Sequence, residues 1–338
     1  HQAPAEEHII TIEEDAINLS TSGTAFVCFG TFRPAPVAIK VFENADASRS
    51  VVEHFNRLRQ TQIGSSGYST QGRNLVVEVL AVAPFDRTIC ESRVSGHAVI
   101  MDRGGKNLKE VLREYRLGLS PHEVNAMALS VTEIVAHVHR CGYVWTDVKP
   151  SNFVTHPDYG LTRYLGIDFD TAIRQSQTVG ARTIAFSPPE LHRTSGSTAD
   201  GEAPLTAMYS YDAWSLGLVL FDIFTGHSFW HFAGTEEEDG MKAFLARDYA
   251  EIRRDVHRIV EQQLAQHAGT LRRVLIGDPE SSQEGLLSPD PQQRASVEAA
   301  MVEVRKGSAT SRTRIVAEDH GYRILALESV TDHLPPPF

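Results

Sequence analysis

Four short stretches of this 338-residue chain carry side chains that could do chemistry together. Asp147, Lys149 and Asn152 stand within six residues of one another. They offer a carboxylate that can accept a hydroxyl proton, an ammonium that can neutralise a charge in transit, and an amide that can turn back to hold a metal ion. A second carboxylate, Asp168, heads the triplet Asp168-Phe169-Asp170. Upstream, the run Val37-Ala38-Ile39-Lys40 alternates as a strand, which puts Lys40 on the face opposite Val37 and Ile39. A lone lysine on a strand is ordinarily a surface charge. Glu53 is the only carboxylate between Asp46 and Glu78, and it is the candidate to orient Lys40 by an ion pair.

Elements must exist to bring these groups together. The first hundred residues read mostly as strands: His8 to Ile12 as a short apolar strand ahead of the main sheet, then Ala25 to Phe32, Val37 to Phe42, Leu75 to Val82 and His97 to Met101. Between them, Ser50 to Gln62 has helical periodicity, with Val51, Val52, Phe55 and Leu58 on one side. After Gly104-Gly105 the pattern turns helical. Ser120-Pro121-His122-Glu123 predicts a capped helix start, followed by apolar residues from Val124 to Val138 at helical spacing and Gly142 at the end. Tyr211 to Thr225 reads as a second, central helix, and Glu236 to Asp239 as a solvated acidic loop.

Composition narrows the class. Apolar residues are 41% and charged residues 22%, an ordinary globular mixture that excludes a fibrous repeat or a disordered tail. The longest apolar run, Leu216 to Phe224, is broken by Asp222 and falls short of the roughly 20 residues that span a bilayer. A net charge of −11 makes the chain a poor binder of phosphate backbones, so nucleic acid is not an expected partner. Cys28, Cys90 and Cys141 lack metal-ligand spacing and allow at most one disulfide. The chain starts at His1 with no signal-like segment, which fits a removed leader or a trimmed sequence.

Six segments, in order, resemble the protein kinase superfamily. Val37 to Lys40 resembles the strand whose lysine pairs the ATP phosphates. Trp145 to Asn152 is similar to the catalytic loop, and Asp168-Phe169-Asp170 to the D-F-G triplet with its glycine replaced. Pro188-Pro189-Glu190 resembles A-P-E, Asp212 to Gly217 the start of the central helix, and Asp290 to Arg294 the segment whose arginine pairs with Glu190. Each alone is weak; their order is what carries the likeness, over about residues 15 to 305.

The resemblance implies an α+β bilobal kinase fold: a small antiparallel sheet with one main helix over residues 1–102, a larger helical lobe over 103–305, and an extension at 306–338. It implies ATP and Mg²⁺, with Mn²⁺ as an alternative. Asp147 is then the catalytic base, with Lys149 beside it. Asn152 and Asp168 hold the metal, and Lys40, Glu53 and the hinge backbone at Asp102 and Arg103 hold the nucleotide. Thr183 takes the place of the threonine that serine/threonine kinases set beside the catalytic loop. Asp212, Trp214, Glu190 and Arg294 are expected to serve architecture.

The departures are as informative. Where the family has a phosphate-covering G-x-G-x-x-G, this chain has Ser20-Thr21-Ser22-Gly23-Thr24-Ala25, so close backbone approach to phosphate is lost. Trp145 stands for histidine and Asp170 for glycine, the latter expected to face water. Thr146 stands for the arginine that anchors a phosphorylated loop, so replacing Ser176 and Thr178 with alanine should leave phosphate transfer intact in a kinase assay. Losing the glycines while keeping the four polar groups is similar to the secreted rhoptry-kinase-like group of apicomplexan parasites, especially its members without a glycine loop, bradyzoite pseudokinases among them. That implies secretion to a parasitophorous vacuole or cyst wall, protein substrates or partners, and a monomer. Two functions are left open: a divergent serine/threonine kinase, or a pseudokinase scaffold with weak or no nucleotide binding.

Overall fold

A computed structural model describes residues 10–19, 25–64, 75–89, 92–115, 118–180, 183–192, 206–264, 269–278, 284–310, 317–318 and 321–322. The degenerate loop at 20–24 and the third cysteine, Cys90, lie outside them. Five strands form one antiparallel sheet in the order β1-β2-β3-β5-β4: β1 Ile10–Leu19, β2 Ala25–Phe32, β3 Ala35–Phe42, β4 Val79–Ile89 and β5 Ser92–Asp102. The apolar residues at its start are therefore part of a ten-residue edge strand of the main sheet, not a separate addition. β1 can lie this close to β2 because of Gly30, where a Cβ would come within 2.1 Å of the Thr11 carbonyl oxygen.

Alternation sorts the two faces of the sheet. Val37, Ile39 and Val41 are buried with Cys28, Ala98 and Ile100 on one side. Phe42, Val99 and Met101 face the other way and join Val51, Phe55 and Leu58 of helix α1, Ala45–Gly64. The strand predicted from Leu75 begins only at Val79. The residues before it are buried and bond to the other lobe: the Gly166 N–H donates to the Leu75 carbonyl at 2.9 Å, and Val76 bridges Gly166.

The second lobe is helical: α2 Leu108–Tyr115, α3 Pro121–Arg140, α4 Tyr209–Thr225, α5 Phe229–Ala233, α6 Glu238–Leu245, α7 Tyr249–Leu264, α8 Gly269–Ile276 and α9 Val297–Thr310. Short strands lie beside it: β6 Tyr143–Val144, β7 Phe153–His156, β8 Gly160–Gly166 and β9 Ile173–Arg174. α3 begins with a full capping box between Ser120 and Glu123, and Gly142 just past its end takes φ +81°. α4 is buried at every position from Tyr211 through Phe221, which makes it the axis of the lobe. The acidic run is only half a loop: Glu238 and Asp239 form the first turn of α6, where carboxylates favour the helix dipole. Among the described residues no helix is long and apolar enough to cross a membrane.

One acid in this lobe sets a pH dependence. Asp222 of α4 keeps some residue surface, but burial pushes its carboxyl up to about 8, against a hydrogen bond from the Phe229 N–H. The unfolded carboxyl ionises near pH 4. The folded state therefore holds a proton that the unfolded state loses, and stability falls as pH rises from about 4 through 8, by at most roughly 1.4 kcal/mol per pH unit. Asp222→Asn should flatten this slope, read by urea unfolding at pH 5.5 and 8. An unchanged slope would place the titration elsewhere.

Candidate active site

The segment from Trp145 to Asn152 hangs from the buried end of α4. Asp212, fully buried, accepts from the Trp145 N–H at 2.7 Å and the Thr146 N–H at 2.8 Å, with His139 Nε2 at 2.9 Å. Three partners offset the cost of burying a carboxylate. Thr146 is held at φ +66°, a region a β-branched residue occupies only under constraint. Two reciprocal bonds constrain it: Thr146 Oγ1 donates to the Thr171 carbonyl at 2.9 Å and Thr171 Oγ1 to the Trp145 carbonyl at 3.2 Å.

Asp147 follows, mostly buried, with each oxygen engaged. Thr183 Oγ1 donates to Oδ1 at 2.7 Å, and Lys149 Nζ sits 2.7 Å from Oδ2. Lys149 also donates to Thr183 Oγ1 at 3.2 Å, so the three side chains close a ring. Asn152 is buried, and its Nδ2 donates to the Asp147 carbonyl at 2.8 Å and to Oδ2 at 3.2 Å. Its amide oxygen is the acceptor left for a cation.

Asp168 takes φ +61°, a second constrained backbone position. Phe169 beside it is fully buried, stacked on Trp145 (centroids 4.5 Å, 27°) and edge-on to Phe55 of α1 (5.3 Å). Trp145 Nε1 donates to the Asp168 carbonyl at 3.1 Å, so this tryptophan both fills the space and ties the triplet down. His54 Nδ1 lies 3.2 Å from the Phe169 carbonyl.

The lysine partner differs from the expected one. Lys40 is 2.7 Å from Asp168 Oδ1 and 2.5 Å from Asp170 Oδ2. Glu53 is exposed and lines a cavity of about 350 Å³ with His54, Arg57 and Arg174. The reason is helical phase: Val51, Phe55 and Leu58 form the buried face of α1, and a residue two positions from Val51 and Phe55 points away from it. Asp170, expected to face water, supplies the carboxylate that Glu53 does not. Burial works against the Lys40 charge, but the two carboxylates outweigh it and raise its pKa. Burial, joined by the Asp168 charge and opposed by Lys40, pushes the Asp170 carboxyl above its ordinary range. Its Oδ1 is enclosed without a hydrogen-bond partner.

At the hinge, the expected backbone contacts are already engaged. The Asp102 N–H donates to the Glu78 carbonyl at 3.0 Å and the Arg103 N–H to the Pro36 carbonyl at 3.3 Å. Away from the cleft, Arg294 forms a two-pronged pair with Glu190 at 2.8 and 2.9 Å.

A family profile described as protein kinase domain matches residues 22–304. The chain belongs to the protein kinase family. Among curated kinases it is 27% identical to dual specificity protein kinase Ttk of Danio rerio over 190 residues, 53% of this chain and 17% of that protein. It is 28% identical to serine/threonine-protein kinase mos of Patiria pectinifera over 160 residues, 44% of this chain and 41% of that protein. This kinase domain thus spans less than half the length of those relatives. The crystal structure of a rhoptry kinase from Toxoplasma gondii shares its fold, with TM-score 0.62, 15% identity, and coverage of 90% of this chain and 80% of that one.

Protein kinases use ATP with a divalent metal, and the donors here suit one. Among the described residues no cluster of three or more His, Cys, Asp or Glu is arranged to hold an ion. Mg²⁺ needs less, since it usually takes one or two carboxylates together with phosphate oxygens and water. Asp168, with a side chain 40% exposed, and the free amide oxygen of Asn152 meet that need with hard oxygen donors. Two carboxylates against one ammonium, with an unpartnered oxygen on Asp170, leave the pocket short of positive charge.

Proposed function

We propose that this chain is a serine/threonine kinase that transfers the γ-phosphate of ATP to protein hydroxyls without a glycine-rich loop. The observation that carries this is that Lys40, from the sheet, reaches Asp168, while Asp147 and Asn152 bond to each other on a loop tied to the residue before Asp168 by the Ile167 N–H on the Asn152 carbonyl at 3.0 Å. Phosphoryl transfer asks mainly for positioning and charge neutralisation. Asp168 and Asn152 would hold a Mg²⁺, which when bound would supply charge neutralisation on the phosphates. Asp147 orients the attacking hydroxyl and takes its proton, Lys149 offsets charge on the moving group, and Thr183 keeps the Asp147 carboxylate in one orientation. The buried Trp145–Phe169–Phe55 stack keeps Asp168 in place from below.

Asp170, not Glu53, is the residue that holds Lys40 in this reading. Asp170→Asn is expected to weaken Mg-ATP binding about tenfold, equivalent to roughly 1.4 kcal/mol, while Glu53→Gln changes it less than twofold. Calorimetric titration decides; the reverse ranking would return the role to α1.

The test of activity is phosphate transfer to a generic basic protein with Mg²⁺ or Mn²⁺, beside Asp147→Ala and Asp168→Ala. Signal that survives both substitutions is contamination and ends the enzyme reading. A pseudokinase scaffold is the second reading, favoured by the lysine bridging both carboxylates and by hinge N–H groups already bonded within the sheet. Mg-ATP at 100 times its dissociation constant stabilises a binder by roughly 2.7 kcal/mol; no thermal shift at millimolar ATP would favour the scaffold. The fold likeness to a rhoptry kinase and the missing glycines support a secreted, vacuolar role, with proteins of that compartment as targets.

A further inference from the structure

We infer that Arg103 gates the nucleobase end of the cleft: latched to Glu13 and lying on Phe29, its guanidinium covers the surface on which a base would stack. The inference rests on the nucleotide-binding reading and goes beyond it, since it assigns the Arg103 side chain a role opposed to binding.

The sheet register locates the surface. Lys40 enters the cleft, because it reaches Asp168. Residues directly opposite one another in an antiparallel ladder share a face. Val27 lies opposite Lys40, Phe29 opposite Ala38, Glu13 opposite Phe29 and Met101 opposite Ala38. Glu13, Phe29, Ala38 and Met101 therefore line the same face as Lys40, one side-chain repeat nearer the hinge, about 7 Å along the strand. That is the depth at which a base must sit if Lys40 holds the phosphates. β1 breaks register between Glu13 and Ile17, so the part carrying Glu13 is set independently of the part that leads into the lost glycine loop.

Arg103 continues β5 by one residue, its N–H on the Pro36 carbonyl, and turns its side chain back under the sheet. The guanidinium carbon lies 4.4 Å from the Phe29 ring centroid, and Nη1 donates to both Glu13 carboxylate oxygens at 3.1 and 2.9 Å. Phe29 is half-buried, and its ring carries this cation where a base would stack. A base entering the slot has to swing Arg103 away, breaking the ion pair and the ring contact together. Both side chains are partly exposed, 34% for Arg103 and 42% for Glu13, so the contacts are weak. The latch lowers affinity by roughly 3- to 30-fold and does not seal the cleft.

The experiment is calorimetric titration of Mg-ATP into wild type, Arg103→Ala and Glu13→Gln, with Lys40→Met as the site control and a melting curve of each variant to verify folding. Glu13→Gln keeps the shape of the latch without its charge and serves if Arg103→Ala folds poorly. Arg103→Ala should bind 3- to 30-fold more tightly than wild type, Glu13→Gln, which leaves the ring contact in place, about 2- to 5-fold more tightly, and Lys40→Met should lose binding. Binding by the variants alone supports the gate in its fully closed form. If wild type binds and the variants match it within twofold or bind more weakly, the gate is wrong while the nucleotide reading stands. If none of them binds at millimolar ATP, both fall.

Discussion

Asparagine in place of Asp147 is expected to slow phosphate transfer by roughly 10²- to 10⁴-fold, the usual contribution of a positioned general base, while leaving the melting temperature nearly unchanged. The asymmetry follows from the contacts. An asparagine oxygen can still accept from Thr183, and the Asn152 bond to the main-chain carbonyl at 147 does not involve the side chain. What is lost is a negative charge beside Lys149, the longer 3.2 Å bond that Asn152 makes to Oδ2, and the capacity to take a proton. The proposed role gives Asp147 no place in nucleotide binding, so the KM for ATP should move less than about threefold while kcat collapses. Single-turnover transfer with a basic protein substrate reads both. A variant with weakened ATP binding and intact kcat would show that Asp147 belongs to the nucleotide site instead.

The second large effect is on stability. Arg294→Ala should cost about 3–5 kcal/mol, the range for removing one partner of a buried ion pair. The Arg294 side chain has no exposed surface. Besides Glu190 it donates to the carbonyls of Ser210 and Ser288, both at 2.7 Å, and of Pro289 at 3.2 Å, and its guanidinium lies over the Trp214 ring at 5.3 Å. Truncation strands the Glu190 carboxylate and three main-chain oxygens at once. Against a typical total of 5–15 kcal/mol, the loss would leave a marginal fold. Urea unfolding measures it, and pairing Arg294→Met with Glu190→Gln should recover part of the loss, because no unpaired charge then remains. A single variant as stable as wild type would make this pair ornamental.

The order of motifs along the chain makes the fold legible, because kinase chemistry needs particular side chains at short fixed spacings. Asp147, Lys149 and Asn152 could be read together since one loop carries all three. The capping box of α3 was legible for the same reason: Ser120 and Glu123 act on each other over three residues. What escaped was contact between remote elements. Glu53 is the only acid its stretch of sequence offers, yet the spacing of Val51, Phe55 and Leu58 turns it outward. Asp170 reads as solvent-facing by its replacement of a glycine, while its position two residues after Asp168 puts a second carboxylate within reach of the same lysine. The hinge arginine gave no local signal, since its partners Glu13 and Phe29 lie on strands 90 and 74 residues earlier in the chain.

The paired threonine bonds between Thr146 and Thr171 have a further consequence. Neutral hydroxyls stitch the two segments together where a phosphate group and its cations otherwise would. Such stitching is indifferent to phosphatases and to ionic strength. On the proposed kinase reading, an enzyme built this way would be switched on as soon as it folds, which would leave its delivery and the access of its targets as the points of control.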